Sequence, residues 1–366
     1  MASKVRVGII GCGPKGAQVM YAPIWRYLRD IELKVVWDPN SNNAQKLCQL
    51  IGEGKVVANL EAIWGSDIDA VIISSPVWAH ATQAITALQN GFHVFCEKPM
   101  ARSVQECRGM INAANNNGKV LMIGFMKRYD KSFLKAAEML RAGDLGKLIE
   151  VRCDWSFSSP RIERVEGSRE MPETWGGVFQ DHGSHTIDLC RWWLGDVIHL
   201  SGEIQVVDPT RTVEDHASAV MRHVSGGTSV HTISRVRHGP VVEKYGLVGT
   251  EATLEIQFNR SFSYISTDPF HMELYSSNGE QRDVTVHNLP NLDDEIKNNG
   301  RYTRELQHFV DCINGGTEPI TSGIDGLRAI EAVTAVFYSS WAGRKIKMPF
   351  SEEFDFRKTF DDTRGA

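Results

Sequence analysis

The chain has 366 residues, which is too long for one ordinary core and comfortable for two domains. With 42% hydrophobic and 23% charged residues and a net charge of -5, it has the composition of a globular protein without the basic field that nucleic-acid binding requires. We find no apolar run long enough to span a bilayer and no signal peptide, so we expect a cytoplasmic protein with no membrane partner.

The first third of the chain alternates short apolar runs with helical patterns. Val/Ile-rich strands separated by amphipathic helices are typical of a parallel sheet covered on both faces, as in an α/β domain. We assign residues 1–125 to this domain. The predicted strands are 5–10, 33–37, 70–73, 93–95 and 120–124, and the predicted helices are 15–29, 78–89 and 104–115.

The pattern changes near residue 148, where longer alternating stretches begin. They predict a large, mainly antiparallel open sheet in a second α/β domain that spans residues 126–366. We leave open whether the last helix packs back on the first domain. The predicted strands are 148–155, 197–207, 217–223, 228–236, 243–248 and 253–258, and the predicted helices are 182–193, 294–313 and 325–342.

Seven cysteines are scattered along the chain, and no two form a CxxC pair. This spacing favours neither a disulfide framework nor a metal site. We therefore expect reduced, mostly buried thiols and no bound metal.

A glycine-rich motif follows the first predicted strand and opens a helix: Gly11-Cys12-Gly13-Pro14-Lys15-Gly16. It fits G-x-G-x-x-G, in which the glycines permit a tight turn, close approach of the backbone to a pyrophosphate, and helix–strand packing. Asp38 ends the second strand, where an acid that binds the adenosine ribose is expected. Its carboxylate would repel the extra phosphate of NADP, so we predict NAD. The alternative is a turn or N-cap aspartate before Ser41.

Several further segments resemble the glucose–fructose oxidoreductase / inositol dehydrogenase family. They are Ser75-Pro76-Val77-Trp78-Ala79-His80, the block from Gly91 to Glu97-Lys98-Pro99, Gly124 to Tyr129, and Gly176-Gly177 to Asp188. The resemblance covers nearly the whole chain. It implies an N-terminal Rossmann domain, cofactor contacts from Ser75, Pro76, His80, Glu97 and Lys98, and a C-terminal sheet that commonly forms the subunit interface. We therefore expect a homo-oligomer, most simply a dimer or tetramer.

Asp181 and His185 form the second group of candidate catalytic residues. Four residues apart, they are predicted to share one helix face, with Asp188 a turn further on and His182 pointing elsewhere. A histidine suits removal of a hydroxyl proton, and a carboxylate can orient its ring. The alternatives are a histidine satisfied within the core, or a metal site formed by Asp181, His185 and Asp188.

The resemblance assigns roles to these residues. It implies that His185 is the general base, that Asp181 is its partner and a ligand of the substrate hydroxyl, and that Lys98 stabilises the alkoxide-like transition state and relays protons. The sequence leaves open whether Lys98 or His185 removes the proton.

Five other residues are weaker candidates for substrate binding. Arg128 and Tyr129 follow the last Rossmann strand, with an interdomain salt bridge and a packed ring as the alternative. The other three are Asp154, Trp155 and Trp175. The alternative for each tryptophan is that its ring packs in the core. Arg161, Arg164 and Arg169 lie in a polar stretch predicted to be a loop.

We therefore predict an NAD-dependent oxidoreductase that oxidises a secondary hydroxyl of a sugar, glycoside, polyol or inositol by hydride transfer to nicotinamide. The first alternative is a redox-neutral sugar-processing enzyme that keeps and recycles its NAD. The second is a non-catalytic sensor of NAD or sugar, which the presence of both Lys98 and His185 disfavours.

Overall fold

A computed structural model describes residues 4–158, 176–258, 269–352 and 354. Its described residues divide into two compact units. The first comprises residues 4–130 and Leu289–Leu327, and the second comprises the remainder.

The first unit is built on a six-stranded parallel sheet with the order β3-β2-β1-β4-β5-β6. This order reverses between β1 and β4, and ligands of doubly wound sheets bind beyond the carboxyl ends of the strands at such a point. The predicted Rossmann-type fold is confirmed. The strands are β1 (Val5–Ile10), β2 (Ile31–Trp37), β3 (Lys55–Val56), β4 (Ala70–Ile73), β5 (His93–Glu97) and β6 (Leu121–Gly124).

The helices α1 to α5 connect these strands, and two later helices, α8 and α9, also belong to the first unit. Short 3-10 turns occur at Trp25–Tyr27 and Met126–Tyr129. The helices are α1 (Ala17–Met20), α2 (Ser41–Ile51), α3 (Glu61–Trp64), α4 (Val77–Gln89), α5 (Val104–Asn117), α8 (Leu292–Asn299) and α9 (Arg301–Gly315).

The predicted helix 15–29 is wrong, because the helix ends at Met20. Pro23 explains the early end. Proline lacks the amide hydrogen that a continuing helix needs, and its ring clashes with the preceding turn. The chain instead passes through a 3-10 turn before β2 begins at Ile31.

The structure also differs from the predicted boundary, which placed residues 289–327 in the second domain. The apolar face of α9 carries Tyr302, Leu306 and Phe309, which pack in the core beneath the parallel sheet. The single helix predicted over 294–313 is broken at Gly300, whose extended ψ of 121° separates α8 from α9. The last helix, α10 (Gly323–Ala342), has its first five residues in the first unit and the rest in the second.

The second unit contains a nine-stranded sheet with the order β14-β13-β12-β11-β7-β10-β9-β8-β15. All pairs are antiparallel except β7 with β10. The predicted large, mainly antiparallel sheet is confirmed. Its strands are β7 (Leu148–Ser156), β8 (Val197–Gln205), β9 (His216–His223), β10 (Thr228–Ser234), β11 (Val242–Gly249), β12 (Ala252–Phe258), β13 (His271–Ser276), β14 (Gln281–Asp283) and β15 (Ile346–Lys347).

Helices α6 (Lys131–Ala142) and α7 (Ser184–Leu194) cover this sheet together with residues 328–342 of α10. The π-helical turn Phe179–Gly183 leads into α7. Two buried apolar clusters result, one centred on α10 with β8 and β9, the other on α6 with β11 and β12. None of the helices in the described part of the chain is long and apolar enough to cross a membrane.

Candidate active site

The glycine-rich loop begins where β1 ends. Gly11 has φ of +85°, and a Cβ at this position would lie 2.5 Å from the backbone nitrogen of Ser75. Only glycine accommodates both constraints. A Cβ on Gly13 would meet no protein atom within 4 Å, so the loop backbone is open to an approaching ligand at this point.

Asp38 lies directly after β2, and its carboxylate is held beside the glycine-rich loop. Oδ2 accepts the amide hydrogen of Cys12 at 2.7 Å, and Oδ1 accepts that of Asn40 at 2.9 Å. The carboxylate therefore lies at the carboxyl end of the strand that neighbours β1. This is the position in which an acid meets the adenosine ribose in dinucleotide-binding folds.

His80 connects two loops of the same unit. It is buried in α4, with Nδ1 2.9 Å from the carbonyl oxygen of Pro99 and Nε2 2.8 Å from that of Ser75. The Ser75 hydroxyl donates to Gln83 at 2.6 Å. His80 thus joins the two loops by contacting the backbone of each. Its position in the sequence did not indicate this role.

Glu97 and Lys98 end β5 and begin the next loop, and the Lys98–Pro99 peptide bond is cis. The Glu97 carboxylate accepts the hydroxyl hydrogen of Tyr21 at 2.6 Å and is oriented by it. Lys98 is half-buried. We did not predict Tyr21, since a tyrosine after an apolar helical turn carries no signal of this contact.

In the second unit, Asp181 lies within the π-helical turn and His185 in the first turn of α7. Both side chains are buried. The prediction that His182 points away from Asp181 is wrong: its Nδ1 lies 3.5 Å from Asp181 Oδ2. The wider winding of a π turn changes the angular spacing that a regular α-helix would impose. Arg235, which we did not predict, lies 3.6 Å from the same oxygen.

Trp155 packs against both histidines. Its ring centroid lies 4.4 Å from that of His182, edge-on, and 6.0 Å from that of His185. Trp155 is buried, whereas its neighbour Asp154 is half-buried and, because strand residues alternate, faces the other side of the sheet. This position separates Asp154 from the cluster of Trp155, His182 and His185 and argues against a role in substrate binding.

Glu214 was also not predicted, although it holds the start of this segment. Oε2 accepts the amide hydrogen of Gly177 at 2.7 Å, while Oε1 accepts those of Phe179 at 2.9 Å and Gln180 at 3.5 Å. Burial raises the pKa of the Glu214 carboxyl to about 7, and these backbone hydrogen bonds offset that rise only in part. A negative charge here also suits the amino end of a helix.

Arg128 and Tyr129 have structural partners within the first unit. The buried Arg128 guanidinium bonds Asp325 Oδ1 at 2.9 Å and the carbonyl oxygen of Ile320 at 2.6 Å. The buried Tyr129 hydroxyl lies 3.2 Å from that of Thr321. These contacts correspond to the structural alternative for both residues, with the salt bridge inside one unit rather than between domains.

Four predicted residues lie outside the described part of the chain: Trp175, Arg161, Arg164 and Arg169. Within the described part, one group of three His, Cys, Asp or Glu residues brings its donor atoms within 4.8 Å of one another, namely Cys153, Cys190 and His231. Asp181, His185 and Asp188 do not form such a group there, so the alternative of a metal site at those three residues is not supported.

Two family models match the chain. One, described as the oxidoreductase family with an NAD-binding Rossmann fold, covers residues 5–125. The other, the GFO/IDH/MocA C-terminal domain, covers residues 133–255. The chain belongs to the GFO/IDH/MocA oxidoreductase family. The resemblance predicted from the sequence is thereby confirmed, and the first unit of this oxidoreductase is the NAD-binding Rossmann domain of the family.

Relatives of this oxidoreductase match along almost its full length. The scyllo-inositol 2-dehydrogenase (NAD(+)) of Bacillus subtilis is 26% identical over 95% of this chain and 97% of its own. A D-apiose dehydrogenase of Paraburkholderia graminis is 26% identical over 93% of this chain and 88% of its own.

A solved structure with the same fold is the aldose-aldose oxidoreductase of Caulobacter crescentus complexed with glycerol. It has a TM-score of 0.81 and 22% identity, and the match covers 94% of this chain and all of that one. An oxidoreductase from Agrobacterium radiobacter, solved with NAD+, L-tartaric acid and magnesium, has a TM-score of 0.79 and 22% identity over 94% of this chain and 98% of its own.

The first unit of this oxidoreductase fits NAD. Gly13 leaves open the backbone that a pyrophosphate approaches, and Asp38 supplies an acceptor for ribose hydroxyls. The residues that follow Asp38 are Pro39, Asn40 and Ser41, which provide no cation for a ribose phosphate.

Proposed function

We propose that this protein is an NAD-dependent dehydrogenase that oxidises a secondary hydroxyl of an inositol, polyol, sugar or glycoside. The observation that carries the proposal is the cluster of Asp181, His182 and His185 beside the Trp155 ring, in a chain whose first unit is an NAD-binding domain. Relatives named as inositol and apiose dehydrogenases support this substrate class. When bound, NAD supplies the acceptor of the substrate's hydride.

In this proposal His185 takes the proton of the substrate hydroxyl. The imidazole is the side chain whose ordinary pKa suits proton transfer near neutral pH. Its place in the first turn of α7 is held by the bonds between Glu214 and the backbone before it. The buried Trp155 ring provides an apolar wall that limits the ring's freedom.

In the same proposal, Asp181 orients the His185 ring and binds a substrate hydroxyl. Arg235 and His182 lie 3.6 and 3.5 Å from its Oδ2, which fixes the carboxylate while it accepts a hydrogen bond from a substrate hydroxyl. Lys98 donates to the reacting oxygen and stabilises the developing negative charge. The Glu97 carboxylate, oriented by Tyr21, fixes the end of the strand that carries Lys98.

The test is NADH formation by the purified protein with NAD and a panel of inositols, free aldoses and glucosides, with product analysis of every sample. His185→Gln and Lys98→Met are each expected to lower kcat by about 10²-fold or more. The control is His287→Gln, an exposed histidine outside the cluster, which retains full activity. Full activity of His185→Gln would contradict the assigned base, and product without NADH would support the redox-neutral reaction instead.

We also propose that the protein is a homo-oligomer that associates through the nine-stranded sheet. Strands β9 and β13 leave Val220 and Tyr275 exposed. Large apolar side chains on an open sheet face favour a protein interface. Light scattering coupled to size-exclusion chromatography tests this proposal. Val220→Lys is expected to shift the mass toward that of the monomer. A monomeric mass for the wild type would contradict the proposal.

A further inference from the structure

A chain of buried hydrogen bonds runs through the second unit and includes none of the side chains proposed for catalysis. It joins the side chains of Thr186, His231, Ser229 and His223, each of which is fully buried. Its two ends are backbone carbonyl oxygens, those of Gly183 and Gly195.

Five hydrogen bonds make up this chain. The Thr186 hydroxyl lies 3.0 Å from the carbonyl oxygen of Gly183 and 2.8 Å from His231 Nδ1. The Ser229 hydroxyl lies 2.8 Å from His231 Nε2 and 2.8 Å from His223 Nε2. His223 Nδ1 lies 2.7 Å from the carbonyl oxygen of Gly195.

Counting protons shows that neutral side chains cannot make all five bonds. Each bond requires one hydrogen, whereas a neutral threonine, serine and two neutral histidines supply four between them. Carbonyl oxygens only accept, so neither end of the chain contributes the fifth. Buried polar groups are rarely left without a partner, which favours one additional proton in the chain.

The positions of these protons follow from the ends inward. His223 Nδ1 donates to Gly195, and Thr186 donates to Gly183 and therefore accepts from His231 Nδ1. Ser229 has one hydrogen for two ring nitrogens, so the ring from which it accepts is doubly protonated. His231 is the ring whose nitrogen lies within 4.8 Å of the Cys153 and Cys190 sulfur atoms, so the additional proton is placed on His231 and His223 is the neutral ring. Burial also lowers the pKa of His223.

A buried imidazolium requires a negative partner. The donor atoms of Cys153, Cys190 and His231 lie within 4.8 Å of one another, and the two sulfur atoms are 3.5 Å apart. Arg191 is a further charged group that acts on His223, and its guanidinium bonds Asp196 at 2.6 Å.

We propose that Cys190 and His231 form a buried thiolate–imidazolium pair in which the Cys153 thiol donates to the Cys190 sulfur. Burial raises the pKa of the Cys190 thiol, but the hydrogen bond from Cys153 and the interaction with His231 more than offset that rise and hold the pKa well below its ordinary value. The pair ties α7, which carries Cys190 and Thr186, to β7 and β10, which carry Cys153 and His231.

Two sulfur donors and an imidazole also suit a zinc or copper(I) ion. A metal is disfavoured because a hydroxyl oxygen lies 2.8 Å from each ring nitrogen of His231. Each hydroxyl occupies the direction along which that nitrogen would bind the metal. The metal content of the purified protein is therefore measured first. One equivalent of zinc or copper that is lost in Cys190→Ser would overturn the ion pair.

The deciding measurement is the nitrogen NMR spectrum of protein labelled with 15N-histidine at about pH 8, where an ordinary histidine is neutral. The His231 ring, whose Nδ1 lies 2.8 Å from the Thr186 hydroxyl, is expected to show both nitrogens protonated. A neutral His231 ring in the wild type at this pH would overturn the proposal, whether or not any variant folds.

Ultraviolet thiolate absorbance gives an independent check at about pH 7, where ordinary thiols are protonated. Cys190→Ser is expected to lose the absorbance of one thiolate. Cys312→Ser is the matched control, because burial raises the pKa of Cys312 and keeps it protonated. Equal absorbance of the wild type and both variants would contradict an ionised Cys190.

Discussion

Glu214 Oε2 accepts the backbone amide hydrogen of Gly177 at 2.7 Å, and a Cβ on Gly177 would lie 1.9 Å from the carbonyl oxygen of Glu214. The two residues are 37 positions apart, and their contact determines where the segment carrying Asp181 and His185 begins. Among the described residues, this buried carboxylate accepts hydrogen bonds from backbone amides. The stability of the segment therefore depends on the ionisation of Glu214 and on both of its carboxylate oxygens.

The first prediction concerns the pH dependence of folding. Because the pKa of Glu214 is raised from 4.5 to about 7 on folding, its contribution to stability is complete below about pH 4.5 and is lost as the pH rises through about 7. The difference corresponds to about 3 kcal/mol. Urea unfolding of the wild type and Glu214→Gln at several pH values measures it, since the variant lacks this titration.

We expect the free energy of unfolding of the wild type, relative to Glu214→Gln, to fall by about 3 kcal/mol between pH 4.5 and 8. Glu280→Gln, which removes an exposed carboxylate, serves as the control and should parallel the wild type. Parallel pH profiles for Glu214→Gln and the wild type would refute the raised pKa.

Local sequence patterns were sufficient for most strands and for the cofactor loop. Apolar alternation and Val/Ile runs specify strands through burial, and glycines at fixed spacing specify a loop that only glycine can adopt. The error at residues 15–29 came from following the apolar pattern past Pro23, although a proline within a predicted helix is itself a signal of its end.

Contacts between distant residues could not be predicted in this way. Glu214 and Arg235 lie in segments that read as ordinary polar strand ends, and their roles depend on which elements the fold brings together. Cys153 and Cys190 are 37 residues apart with no motif between them. His182 was misplaced because a π turn is not visible in a pattern read with the α-helical period.

The second prediction decides between two roles of Arg128. Its ion pair with the half-buried Asp325 makes it a structural residue. Arg128→Met should lower the free energy of unfolding by about 3 kcal/mol, because it removes the buried guanidinium that bonds this carboxylate and the carbonyl oxygen of Ile320. Removal of an exposed ion pair, Arg26→Met, should cost less than about 1 kcal/mol.

Steady-state kinetics separates stability from substrate binding at this position. Folded Arg128→Met is expected to keep the KM of the wild type for the alcohol identified in the substrate panel. A large rise in KM with unchanged stability would instead restore Arg128 as a substrate ligand.

The third prediction uses Gly13 to test the cofactor site without disturbing the fold. A methyl group at this position meets no protein atom within 4 Å, so Gly13→Ala should retain the stability of the wild type to within about 1 kcal/mol. The same methyl occupies the space through which the pyrophosphate approaches the backbone. NAD affinity, measured by calorimetry, should therefore fall by about tenfold or more.

Gly65→Ala is the matched control for Gly13→Ala. It lies in the same unit, a Cβ there also meets nothing within 4 Å, and its φ of -89° is accessible to alanine. It should change neither stability nor NAD affinity appreciably. Unchanged NAD affinity in Gly13→Ala would show that the cofactor does not approach this part of the loop.

The fourth prediction concerns His80, which joins the loop after β4 to the loop after β5 through the carbonyl oxygens of Ser75 and Pro99. Both loops contribute residues for which the family resemblance implies cofactor contacts. A neutral imidazole donates to only one of these two carbonyl oxygens, so His80→Ala removes one hydrogen bond of about 1 kcal/mol. The loops then become less ordered, and the NAD dissociation constant should rise about fivefold. His287→Ala, at an exposed position, should leave the constant unchanged.

A substitution that restores NAD binding distinguishes two roles of His80, namely ordering of the loops and direct contact with NAD. The side-chain amide of glutamine can donate the lost hydrogen bond, so His80→Gln should bind NAD with an affinity between those of the wild type and His80→Ala. Amide hydrogen exchange in the absence of NAD provides the second readout, with faster exchange expected in the loop around Pro99 in His80→Ala. Weakened NAD binding without any change in exchange would mean that His80 touches the cofactor itself.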